Sequence, residues 1–243
     1  MSQRGWVQLG ALLAILVFGI ANPAAAQQRQ FVPNSPSFWA NSKNWTSNYG
    51  PAYRDTVEAP SQLLPCSSQF ALCFHSGAEP LPCTLSKDGN SAQCKCTVAT
   101  SVNYTLINAI LNYPVYLSTV AACGADGSSC TSTNSAPVCS LLDGGKLIPG
   151  AKVISTFDPD TQDAILAAID EGPSAVTVCA KAAYAACMTA PCKFDKGKTT
   201  ATCKCPVFYG RFTLVGADAQ CSLGGNLVNS ASYIPELDST PNN

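Results

Sequence analysis

The sequence is poor in the side chains that carry most enzyme chemistry. Its 243 residues include one histidine, His75, and only 12% of them are charged. A Ser-His-acid triad would therefore have to use His75, and a metal site built on several histidines is excluded. The formal net charge of −1 gives no electrostatic reason to expect nucleic acid or an anionic membrane as a partner.

Long apolar runs are also scarce, and the clearest one lies at the N-terminus. Residues 6–20 are mostly apolar and follow a single charge, Arg4, while residues 24–26 are three alanines. This order is typical of a signal peptide, and the run is short for a membrane span of about 20 residues. We expect residues 1–26 to be cleaved, which predicts an exported protein, periplasmic or extracellular, with no stable membrane span afterwards.

Cysteine, in contrast, is abundant. Fourteen cysteines, an even number, all follow the predicted signal peptide. In an exported chain this predicts up to seven disulfides. The close pairs are CxC, without the CxxC or Cys/His spacing of zinc sites, so we expect no metal and no cofactor. The predicted disulfide framework comprises Cys66, Cys73, Cys83, Cys94, Cys96, Cys123, Cys130, Cys139, Cys179, Cys187, Cys192, Cys203, Cys205 and Cys221.

One cysteine spacing occurs twice. Residues 82–98 read PCTLSKDGNSAQCKCTV, and residues 191–207 read PCKFDKGKTTATCKCPV. Both stretches have turn-forming residues at their centre and alternating inward and outward positions on either side. The sequence therefore predicts an α+β fold, a small disulfide-rich tandem repeat in which each unit is a β-hairpin with short strands and a small helix.

The hairpins constrain the disulfides without fixing them. With two-residue loops at 88–89 and 197–198, the cysteines share the buried face, and the lysine of each CxC pair points outward. Bonds across each hairpin, Cys83 to Cys94 and Cys192 to Cys203, are geometrically possible. The six matched cysteines of a unit still allow fifteen connectivities. Cys123 and Cys130 have no counterpart in the second unit, so we expect them to pair with each other.

The sequence predicts three helices and a division into five segments. Apolar residues at helical spacing in 104–113 predict a helix ended by Pro114, Asp160 is placed to cap another ended by Gly172, and the alanine-rich 180–186 predicts a third. The segments are a signal peptide (1–26), an aromatic and Asn/Ser-rich N-terminal arm (27–62), a first cysteine-rich unit with an inserted loop (63–158), a second cysteine-rich unit (159–234) and a flexible tail (235–243).

Function is less constrained than architecture. The leading hypothesis is a non-enzymatic protein of the cell envelope or secreted space, which binds an unknown protein or polysaccharide through two homologous units. One alternative is a secreted hydrolase with its site in the 103–139 insertion near His75. Another is an inhibitor- or toxin-like disulfide scaffold. The calcium-like spacing of aspartates in 158–163 is attributed to helix capping, and Asn44 and Asn103 begin formal glycosylation sequons.

Overall fold

The computed structural model describes residues 63–74, 82–87, 89–111, 113–142, 151–172, 174–216, 219–234 and 237. The predicted signal peptide, the aromatic arm, His75 and most of the C-terminal tail therefore lie outside the described residues. What is described is mostly β, with short helices, so the helical share is smaller than the predicted α+β class implies.

Along the described chain, three strands are followed by three short helical segments, and one strand and one helix then precede the last four strands. The strands are β1 (Leu63–Leu72), β2 (Cys83–Leu85), β3 (Ser91–Leu106), β4 (Val153–Ile154), β5 (Val176–Ala186), β6 (Pro191–Phe194), β7 (Thr200–Val215) and β8 (Leu227–Ala231). The helices are a 3₁₀ turn (Ile107–Ala109), α1 (Tyr113–Cys123), α2 (Cys139–Leu142) and α3 (Pro159–Glu171).

Two long strands organise the sheet. Its order is β1-β3-β2-β8-β5-β7-β6-β4, and β3 also pairs with β7, antiparallel, with Cys94 opposite Cys203. A parallel bridge between Ala71 and Ser155 links β1 to the end of β4. The pairings thus form two closed circuits of five strands, β3-β2-β8-β5-β7 and β1-β3-β7-β6-β4, which share β3 and β7. Closure leaves few unpaired edges among the described strands.

The shortest strands cross between the two cysteine-rich parts of the chain. β4, from the first part, pairs with β6, where Val153 lies opposite Cys192. β8, from the second part, pairs with β2, where Val228 lies opposite Cys83. Each part therefore completes the hairpin of the other. The two parts share one sheet and the larger of two hydrophobic clusters.

Both hairpins have the register expected from the cysteine spacing. Cys192 lies directly opposite Cys203, and Thr84 lies opposite Gln93. This register turns the cysteines of β3 and β7 into the core, where each is at most 1% exposed. The lysine between each pair is exposed, as predicted.

The hairpin loops are longer than predicted. The N–H of Gly89 donates to the carbonyl of Ser86 (3.0 Å), and the N–H of Lys198 donates to the carbonyl of Asp195 (3.1 Å). Each bond closes a four-residue turn that begins before the expected two-residue loop, so that prediction is wrong. Gly89 and Lys198 are the last residues of these turns and have φ of +68° and +60°, a conformation that suits glycine far better than lysine.

Three helix predictions need correction. Tyr104 belongs to β3, and the helix begins at Tyr113 and runs through Pro114, because proline is tolerated in the first helical turn. In α3 the N-cap is Asp158, whose side chain accepts from the N–H of Thr161 (2.9 Å), and not Asp160. The segment 180–186 is not helical but forms most of β5, which pairs with both β7 and β8.

Candidate binding face on the central hairpins

All fourteen cysteines are paired. The Cys123–Cys130 bond expected from parity is present, and so are both cross-hairpin bonds. The remaining bonds also fall at matching positions in the two halves. Cys66–Cys139 corresponds to Cys179–Cys221, Cys73–Cys96 to Cys187–Cys205, and Cys83–Cys94 to Cys192–Cys203.

Four of these disulfides pack in two pairs beneath the hairpins. The Sγ atoms of Cys94 and Cys187 lie 3.3 Å apart, and the sulfurs of Cys73, Cys96 and Cys203 lie within 4.8 Å of one another. Such spacing suits a metal ion, but the ligating form of cysteine is the thiolate, and these sulfurs are all in disulfides. The sulfur clusters therefore act as covalent core packing.

The opposite side of the same strands is polar and faces solvent. We call this side of β2, β3, β6 and β7 the outer face. Successive side chains of a strand point to opposite faces of the sheet, so the residues on either side of each buried cysteine point outward. The outer face consists of Thr84, Gln93, Lys95, Thr97, Lys193, Asp195, Thr200, Thr202 and Lys204, all exposed or half-buried.

Strand pairing arranges the outer face in cross-strand rows. Thr202 of β7 lies opposite both Lys193 of β6 and Lys95 of β3, so that the two lysines are about 10 Å apart on either side of a threonine. The neighbouring row places Gln93 between Thr84 and Lys204. Lys95 and Lys204 are diagonal neighbours, about 7–8 Å apart. The β3–β7 pairing thus joins two hairpins into one continuous surface.

The carboxylate on this face is fixed by its neighbours. Asp195 accepts hydrogen bonds from the hydroxyls of Thr200 (2.7 Å) and Thr202 (2.9 Å). These bonds hold the pKa of Asp195 below its ordinary value, and the charge of Lys95 adds to the effect. Asp195 therefore stays ionised at neutral pH and is unsuited to act as a general acid.

Charge is segregated between the hairpins and α3. The segments 82–98 and 191–205 together contain six lysines and two aspartates. The segment 158–171, which comprises α3 and its cap, contains five acidic residues and neither lysine nor arginine. A chain that is nearly neutral as a whole thus has a basic region around its outer face. This asymmetry was not predicted from the overall charge.

The insertion 103–139 offers little support for a hydrolase. Its single carboxylate is Asp126, which lies in the loop closed by the Cys123–Cys130 bond. Hydrogen bonds from Ser128, first from its backbone N–H, lower the pKa of Asp126, whereas a general acid needs a raised pKa. His75 lies outside the described residues, so a hydrolase site in this insertion near His75 stays a prediction.

The second glycosylation sequon is buried. Asn103 has no exposed surface, its Nδ2 donates to the Oγ of Ser68 (3.1 Å), and its Oδ1 accepts from Thr156 (3.0 Å). Thr105 of the same sequon is also fully buried. The folded chain does not present this asparagine to an enzyme. Asn44 lies outside the described residues.

Comparisons with known proteins assign no family to this chain. No protein-family model, no curated protein and no solved structure matches this chain. Among the described residues, none of the helices has the length and apolar character needed to cross a membrane. Seven disulfides are consistent with a secreted, disulfide-stabilised protein.

Proposed function

We propose that the chain is an exported, non-enzymatic binding protein of the cell envelope or secreted space, built from two homologous units, and that it binds a protein or polysaccharide through the outer face. The observation that carries this proposal is the pairing of β3 with β7, which places both hairpins side by side. The units then contribute to one joint surface, in place of two independent sites.

The matched bonding pattern supports a duplicated origin for the two units. Three disulfides of one unit have counterparts in the other, and the exchanged contacts of β4 and β8 also correspond. Cys94 and Cys203, which occupy equivalent positions in the two copies of the repeated spacing, lie opposite each other. A self-complementary pairing of this kind is the intrachain equivalent of a two-fold dimer interface.

The chemistry of the outer face favours binding over catalysis. Its groups are threonine, glutamine and lysine, plus one ionised carboxylate, that of Asp195, whose two oxygens already accept hydrogen bonds from Thr200 and Thr202. Nucleophilic catalysis needs a nucleophile beside a base of suitable pKa. The side chains described on this face provide donors for a ligand without such a pair.

Tryptophan substitutions that obstruct the outer face test the proposal. The double variant Gln93→Trp/Thr202→Trp fills the centre of the surface without changing charge, and Thr131→Trp/Thr133→Trp places two tryptophans in an exposed loop. Oxidised wild type and both variants are applied to a glycan array and to native envelope components. We expect the face variant to lose the ligands of the wild type and the loop variant to keep them. Unchanged ligands in a folded face variant would contradict the proposal.

A further inference from the structure

We infer that the ligand of the outer face is an anionic polysaccharide, a linear polymer carrying carboxylate or sulfate groups. This inference rests on the proposed function and specifies its ligand. It draws on three properties of the face: the spacing of its lysines, the absence of aromatic side chains among its residues, and an excess of positive charge that the described contacts leave unneutralised.

The lysines lie in a short, repeated pattern. Lys193 and Lys95 flank Thr202 at about 10 Å, and Lys204 lies diagonally from Lys95 at about 7–8 Å. Lys152 adds a further charge at the edge of the second hairpin, because its N–H donates to the carbonyl of Cys192 (2.8 Å) and its side chain is exposed. A polymer with an anionic group on each short repeat would meet successive lysines along this surface.

Lysines outnumber carboxylates in the two hairpin segments. The two hairpin segments carry six lysines against two aspartates, and Asp195 interacts with Lys95. Like charges about 7–10 Å apart on one sheet face repel each other. An anionic ligand would relieve this repulsion, so the same residues that lower the stability of the free protein would favour the complex.

The uncharged residues distinguish a polysaccharide from other polyanions. Protein interfaces are enriched in aromatic residues, methionine and arginine at their centres, and the outer face has none of these. Single-stranded nucleic acid is held by aromatic stacking, which this face also lacks. Thr84, Thr97 and Gln93 instead supply hydroxyl and amide groups that can hydrogen-bond to sugar hydroxyls.

The test uses polymers of defined charge and the full, oxidised chain. Binding of dextran sulfate and polygalacturonate is measured by titration calorimetry, with uncharged dextran and duplex DNA in parallel. We expect both anionic polysaccharides to bind, with an affinity that falls as salt is raised, and dextran and DNA to bind at least about tenfold more weakly.

Two variants distinguish the effect of lysines on the outer face from the effect of the net charge of the protein. Lys95→Gln/Lys204→Gln removes two positive charges from the face, and Thr131→Glu/Thr133→Glu changes the net charge equally in an exposed loop. That loop contacts the start of β1, through the N–H of Asn134 and the carbonyl of Pro65, far along β3 from Lys95. We expect about a tenfold loss for the lysine variant and less than about a twofold change for the loop variant.

The outcomes distinguish the inference from the proposed function. Equal weakening by both variants, or tighter binding of DNA or dextran, would overturn the anionic polysaccharide. If array ligands are lost in Gln93→Trp/Thr202→Trp while both anionic polymers fail to bind, the inference fails and the proposed binding face stands. If that variant keeps every array ligand, the proposed function fails as well.

Discussion

Removing the Cys66–Cys139 disulfide should destabilise the protein more than removing Cys123–Cys130, although both bonds lie in the same hydrophobic cluster. The four cysteines are between 0% and 5% exposed, so alanine replacements remove similar buried surface in the two cases. The bonds differ mainly in the chain they close, with sequence separations of 73 and 7 residues. The comparison therefore isolates the entropy of loop closure.

The expected difference follows from the other disulfides. In the unfolded chain the other disulfides remain intact and shorten the loop that Cys66–Cys139 closes. The shortest covalent path from Cys66 to Cys139 passes through Cys73–Cys96 and Cys123–Cys130 and contains roughly 43 residues. In the chain-entropy description, closing a loop of that length stabilises by about 4 kcal/mol, and closing the short loop by about 2.4 kcal/mol. We expect the Cys66→Ala/Cys139→Ala variant to be about 1.6 kcal/mol less stable than Cys123→Ala/Cys130→Ala.

Urea unfolding of the oxidised variants measures this difference. Far-ultraviolet circular dichroism gives the free energy of unfolding and the m-value of each variant. Peptide mapping without reduction first establishes that the other six bonds are unchanged. Equal stabilities, or a greater loss for the Cys123→Ala/Cys130→Ala variant, would refute loop closure as the main source of the difference.

Three other predictions concern the hairpins and the connection between the units. Because the pKa of Asp195 is lowered on folding, its stabilisation is present above the ordinary carboxyl pKa and lost as pH falls through the folded value; urea titrations of wild type and Asp195→Asn should therefore differ at pH 7 and converge at low pH. Lys198→Gly should stabilise by about 0.5–1 kcal/mol and Gly89→Ala should destabilise by about 1–2 kcal/mol, because both residues have positive φ; thermal melts with the opposite order would count against the turn assignment. A protease site inserted after Gly172 should, once cut, give two fragments that co-elute in gel filtration without denaturant, because β3–β7 and the exchanged strands join them; separation in native buffer would contradict these pairings.

The local geometry of the hairpins could be predicted because it follows from short-range rules. Cysteine spacing and strand alternation were enough to place Cys192 opposite Cys203 and to send Lys95 and Lys204 outward. The predicted loop lengths were wrong because a glycine at the centre of the hairpin is typical of a two-residue turn. In the structure that glycine ends a longer turn, and Lys198 takes the same left-handed conformation at the matching position.

The misassigned helix at 180–186 shows tertiary contacts overriding local preference. Its alanines favour a helix in isolation. In the fold, Tyr184 lies opposite Phe208 and stacks on Phe212 at 4.8 Å between ring centroids, with no surface exposed. Those aromatic partners are more than twenty residues away in sequence. A window centred on the alanines therefore contains no signal for the strand.

The outer face could be predicted only in part, because it too depends on contacts between residues that are distant in sequence. Each hairpin's outward residues followed from its own alternation, but the rows that join Lys193, Thr202 and Lys95 depend on the β3–β7 register. That register aligns segments more than a hundred residues apart. A local pattern cannot specify it, although the equivalence of the two cysteine spacings is compatible with a symmetric pairing.

The exchange of β4 and β8 explains why the two cysteine-rich parts of the chain should fold together. Val153 pairs with the hairpin of the second part, and Val228 pairs with that of the first, while no disulfide joins the two parts. A truncated part would thus lose the strand that the other part adds to its hairpin, and it would expose the edge of a long central strand, which invites aggregation. Covalent linkage keeps both exchanged strands at high effective concentration. The outer face, to which both parts contribute, is consequently complete only when they are folded together.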